Sequence, residues 1–205
     1  MKKTTLILLA VLWTAMCLAQ PKPYKPNPKA KKLEDSAVHI FSAYDGKPQT
    51  NTRIEGLLQA ALKADPKWYE AWANLLSFQG RTEQYDKCFA TTKKMVQLFP
   101  KEPDAILNLG IMQYKLGHKP EALKSFEQLV KMYGDELAKN AKGQHYNDLL
   151  TQKAIALILA NKSEGGKAIL NQLYKTETDQ YKKSYLAFYI NKSREEIIED
   201  RVPGH

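Results

Sequence analysis

Residues 103–134 read PDAILNLGIMQYKLGHKPEALKSFEQLVKMYG. Leu116-Gly117 breaks this stretch into two helical segments, because glycine readily takes the backbone angles that end a helix. Gly110 and Ala122 fall on facing helices of the resulting hairpin and are small enough to let two backbones approach. Large residues such as Leu109 and Phe126 fill the space between one hairpin and the next. The unit is therefore a pair of helices with one sticky face each, and such a unit needs neighbours to bury it.

The neighbours are in the sequence. A shift of 34 residues pairs Ala71 with Ala105, Trp72 with Ile106, Asn74 with Asn108 and Leu75 with Leu109. The match continues through Cys88 with Ala122, Val96 with Val130 and Phe99 with Tyr133. The same shift upstream pairs Ala37 with Ala71, Phe41 with Leu75, Leu62 with Val96 and Pro66 with Pro100. Within 69–79, Trp72, Leu75 and Leu76 recur at three and four, as one face of a helix requires. No run alternates as a half-buried strand would. Further breaks stand at Asp45-Gly46, Gln79-Gly80 and Asn161-Lys162-Ser163.

These residues resemble the tetratricopeptide repeat (TPR) family. The unit 103–134 carries Asn108-Leu109-Gly110, Leu116-Gly117, Pro120-Glu121-Ala122 and Phe126 where that family expects them. The unit 69–102 carries Trp72, Asn74-Leu75, Gly80, Tyr85 and the closing Pro100, with Leu76 and Cys88 at usually small positions. The resemblance implies an all-α, right-handed solenoid of about four helical hairpins with a C-terminal capping helix. The units expected are 35–68, 69–102, 103–136 and 146–177, and the cap 179–201.

Several details follow. Thr52 with Glu55 and Ser193 with Glu196 each fit a capping box. The 12-residue offset of Gly110 and Ala122 recurs as Ser42 and Ile54, Leu76 and Cys88, and Ala156 and Ala168. The last pair is out of frame, so a helix extension or loop is expected over 134–144. Tyr181, Tyr185, Phe188 and Tyr189 mark an aromatic helix, read as a cover for the open end of the stack rather than a ligand platform.

The N-terminal part is of another kind. Met1-Lys2-Lys3, the uncharged apolar run 4–16 and Cys17-Leu18-Ala19 read as a signal peptide over 1–19, cut before Gln20. Export to the periplasm or secretion is expected. The alternative is an outer-membrane lipoprotein with Cys17 lipidated, although Thr14 and Met16 depart from that pattern. Membrane association is expected only in that case. Residues 20–32 form a Pro/Lys-rich segment that reads as an extended linker, with Pro21, Pro23, Pro26 and Pro28. The helical domain then runs over 33–205.

The 205 residues carry 31 Lys+Arg and 22 Asp+Glu, a net charge of +9. Seven of those cations lie before residue 33 with no acid among them, leaving 24 against 22 in the remainder. Five of the seven, Lys22, Lys25, Lys29, Lys31 and Lys32, make a basic arm for an envelope polyanion or a solvated spacer. Nucleic acid is not an expected partner, since no recognised binding module is present.

No catalytic constellation is legible. The histidines His39, His118, His145 and His205 lie in no metal-ligand spacing. Gly165-Gly166-Lys167 fails as a phosphate loop, because Asn161 and Ala168 stand where glycine and a hydroxyl are needed. Cys88 reads as a small buried apolar residue. No enzyme activity, metal or cofactor is expected.

The TPR resemblance implies binding of a protein or peptide in the groove lined by the first helix of each hairpin. Its candidate residues are Asn74, Ser77 and Arg81 in one unit, and Asn108, Ile111 and Lys115 in the next. Side-chain amides such as Asn74 and Asn108 hold an extended backbone by hydrogen bonds, or else only support local structure. Where chaperone-binding relatives would place Lys or Asn for a carboxylate clamp, this chain has His39 and Ala73. The expected role is a scaffold or adaptor of the bacterial envelope, with an accessory subunit of a larger envelope complex as an alternative.

Overall fold

A computed structural model describes residues 24–203, except 142 and 144. The signal peptide, Cys17 and Lys22 lie outside the described residues. Ten helices follow one another in the described chain: α1 (Pro28–Ser42), α2 (Pro48–Ala64), α3 (Tyr69–Arg81), α4 (Tyr85–Leu98), α5 (Pro103–Lys115), α6 (Lys119–Lys139), α7 (Tyr146–Leu159), α8 (Ser163–Thr176), α9 (Gln180–Asn191) and α10 (Arg194–Asp200). Each packs on the next from α1 to α9, so four antiparallel hairpins stack in sequence order. This is an all-α, TPR-like solenoid. The starts of α3 and α5, and of α4 and α6, are 34 residues apart, which is the period of the sequence.

The first unit begins earlier than its repeat frame. Residues 24–27 are not helical, but helix starts at Pro28, so Lys29, Lys31 and Lys32 are helical and not linker. Proline is tolerated at the first helical position because its missing amide has no partner there anyway. The Asn27 side chain caps the helix by accepting from the Lys29 amide at 2.9 Å. Ala30 is fully buried, which ties this first turn into the core.

Asp65, just beyond α2, fixes the leader to the body. Its carboxylate accepts from the Tyr24 hydroxyl at 2.5 Å and the Asn27 amide at 2.8 Å. It also accepts from the Lys67 amide at 3.2 Å. Burial pushes this carboxyl up, but the bonds from Tyr24, Asn27 and Lys67 outweigh burial and hold it below its usual range. Burial and the neighbouring carboxylate push the Tyr24 hydroxyl up to about 12.

Other local expectations are corrected. Thr52 does not open α2; it lies inside the helix and donates to the Pro48 carbonyl at 3.0 Å. Gly80 is helical and buried, and the turn falls at Thr82-Glu83-Gln84, with Glu83 at φ 56. The repeat pairs Glu83 with Gly117, which has φ 85, so one left-handed position recurs with two residue types. Asn161 supplies it in the fourth hairpin, at φ 62.

The small-residue contacts are also finer than the 12-residue rule. A Cβ at Gly110 would meet the Phe126 ring at 2.6 Å, so this glycine makes room for Phe126. In the fourth hairpin Ala168 is exposed, and Gly166 is the close contact instead, with the Ala154 carbonyl 2.5 Å from its Cβ position. Ser42 is exposed and Ile54 fully buried, so that pair is no close approach. Leu76 and Cys88 do meet, with Cys88 Sγ 3.9 Å from the Leu76 carbonyl and burial pushing the thiol up to about 11.

The stretch 134–144 proves to be mostly helix. α6 runs on to Lys139 before the chain turns into α7, and it shares one apolar cluster with α7 through Leu137 and Leu149. At the other end, α9 packs on α8 as the next layer of the stack, burying Leu186 and Tyr189. Tyr181, Tyr185 and Phe188 remain exposed. Ser193 forms its capping box with Glu196. α10, however, does not cover the end of the stack. It turns back onto α7.

Candidate partner-binding face

α3, α5 and α7 are the first helices of three successive hairpins and line one side of the solenoid. The residues expected to face a partner have different fates. Asn74 donates to the Glu34 carboxylate, reaching from α3 to α1. Glu34 is buried, and its carboxyl is pushed up by that burial and by neighbouring Asp35. Asn74 thus holds the first two hairpins together, the local role its type also permits. Asn108 is half-buried. Ile111 is fully buried and belongs to the core.

Ser77 and Arg81 are exposed on α3. The Arg81 guanidinium stands 6.0 Å from the Phe41 ring centre and 5.7 Å from that of Tyr44. These rings meet each other and Phe78 edge-on, at 5.7 to 6.5 Å. With Val38, they line a shallow depression between α1 and α3. An arginine over two rings beside an exposed valine offers a partner apolar area and directed hydrogen-bond donors together.

Lys115 has a different neighbour: its amine pairs with Glu199 of α10 at 2.9 Å. On the preceding residue, the Tyr114 hydroxyl donates to Glu195 at 3.2 Å. Arg194 stacks over Tyr114 at 5.0 Å and Phe126 at 5.9 Å. Ile197, Ile198 and Val202 are buried in the same cluster as Ile111, Ile155 and Ile158. Beyond α10, buried Pro203 lies against Gly80 of α3. The C-terminal segment 193–203 therefore crosses α7, α5 and α3 in that order. It fills the part of the face that Lys115 was expected to offer a partner.

The exposed Glu195, Glu196, Glu199 and Asp200 give the sequence of α10 the look of a surface helix, which hides this contact. The signal is in Ile197 and Ile198 on the other side of the helix, and in Val202 just beyond it.

The four described leader lysines stay at the surface. Lys25, Lys29 and Lys32 are exposed, and Lys31 pairs with Asp35 at 2.7 Å. Lys31, Lys32, His39 and Arg53 line a second depression, which also contains Asp35. Among the described residues no group of three or more His, Cys, Asp or Glu stands together as a metal site. None of the described helices is long and apolar enough to cross a membrane.

No family model matches the sequence, and no curated protein does. Among solved structures, the chain is similar to a thermophilic TPR protein of Thermus thermophilus, with 16% identity and a TM-score of 0.48. That likeness covers 82% of this chain and 86% of the other. The class is set by the molecule itself: hairpins stacked in order, with a 34-residue period in the two central units, make it a TPR-like protein.

Proposed function

We propose that this chain is a non-enzymatic protein-interaction scaffold that takes a segment of a partner protein on its first-helix face. The observation that carries this reading is the seating of residues 193–203 across α7, α5 and α3, which is how a short protein segment lies on such a face. Ile197, Ile198 and Val202 supply buried anchors, and Lys115 and Tyr114 supply polar contacts at the rim. Helix-in-groove recognition is built the same way, from apolar anchors at helical spacing with charge around them.

The open part of the face, with Ser77, Arg81, Phe41 and Tyr44, is where a partner docks on the chain as it stands. The Lys2-Lys3 start and the apolar run after it support export, and with it a partner in the bacterial envelope. An accessory subunit of an envelope complex would use the same surface.

A photoreactive amino acid at Ser77, with a control at exposed Lys87 on α4, tests the reading in native envelope. One discrete adduct at position 77 and none at 87 is expected. The same adducts at both positions, or none at 77, would contradict it.

A further inference from the structure

We propose that residues 193–203 are an exchangeable occupant of the first-helix face. In their place the face takes a partner segment of the same chemistry, a short acidic helix with paired aliphatic anchors and an aliphatic, extended end. This rests on the scaffold reading above and names the kind of partner it would take.

Four observations lead there. First, the segment is a self-contained recognition element. Its seven-residue helix has its own capping box, buries Ile197 and Ile198, and keeps Glu195, Glu196, Glu199 and Asp200 exposed around them. Helices this short do not hold alone, so its order comes from the surface beneath it. Second, the surface meets two of the segment's acids, with Lys115 paired to Glu199 and Tyr114 donating to Glu195.

Third, the seat is imperfect. Arg194 Nε and Arg201 Nε are both buried with no acceptor among the described residues. The other end of the Arg201 guanidinium donates to the Tyr189 hydroxyl at 2.6 Å. A buried donor without an acceptor weakens a seat, so a partner segment that lacks the two guanidiniums competes. Fourth, the segment is joined to α9 by a short extended link. Lys192 and Ser193 are extended between α9 and α10, and α9 keeps its own packing on α8. Local openings of this kind occur where one short element can detach without disturbing the rest.

The test uses the full chain and a fluorescent peptide of sequence SREEIIEDRVP as probe. Ile198→Asp in the chain loosens the resident segment and leaves α3, α5 and α7 untouched. The expected result is at least tenfold tighter probe binding to this variant than to the native chain. Adding Lys115→Glu should reduce that gain, and a probe carrying the same Ile-to-Asp change should not bind. Equal binding by native and variant chains of the same helix content would overturn the proposal.

If the variant does not fold, hydrogen exchange on the native chain decides. Amides of 195–202 should exchange well before those of α7, and exchange in step with α7 would overturn the proposal. A Ser77 adduct without probe exchange would leave the scaffold standing and reject only the exchange. Probe exchange without an adduct would confine docking to the seat of 193–203 and reject only the open part of the face around Ser77.

Discussion

The carbonyl of Pro203 occupies the place where a side chain on Gly80 would begin, although 122 residues separate them in sequence. Glycine weakens a helix interior, and α3 keeps one near its end because the C-terminal tail lies directly on it. Gly80→Ala should favour α3 as an isolated helix by about 1 kcal/mol, yet destabilise the whole chain by about 1–3 kcal/mol through overpacking. Trypsin should then cut after Arg201 faster than in the native chain. Unchanged cleavage together with raised stability would mean that the tail does not lie there.

Asp65 should make the first unit acid-sensitive. Its folded pKa lies below the unfolded value of 3.8, so its contribution is present above that value. It is lost as pH falls through the folded pKa. Asp65→Asn should cost about 1–2 kcal/mol at pH 7, and the gap to the native chain should close below about pH 4. Chemical denaturation at pH 7 and pH 3 measures both values, and a gap independent of pH would refute the role given to the carboxylate.

Glu83 holds a left-handed backbone that its repeat partner Gly117 adopts without strain. Glu83→Gly should therefore stabilise the chain by about 0.5–1 kcal/mol, which is the relief of strain less the extra freedom of glycine in the unfolded chain. Thermal melting should show a rise of about 1–4 °C. A fall would mean that the Glu83 side chain matters more than its backbone angle.

The hairpins were legible because a period of 34 repeats the same burial demand, and each match reinforces the others. Single contacts were less legible. The fourth hairpin offered Ala156 and Ala168 at the expected offset, but Gly166 lets the helices approach more closely two residues earlier. Pro28 read as a chain breaker because local preference cannot tell a first helical position from an extended one. Burial of Ala30 decides it, and that depends on α2 and α3. Of the candidate residues, Ser77 and Arg81 are exposed on α3. The fates of Asn74 and Lys115 were hidden, because Glu34 and Glu199 lie 40 and 84 residues away from them and no periodicity connects such pairs.

The position of residues 193–203 governs how much of the first-helix face is exposed, and a zero-length carbodiimide cross-link reports it directly. Peptide mapping of the cross-linked monomer should recover Lys115 joined to Glu199, and Lys115→Arg should abolish that link without shifting Glu199 to another lysine. Recovery of Glu199 joined instead to Lys167 or Lys175 of α8, with none to Lys115, would contradict the seating of the segment on this face.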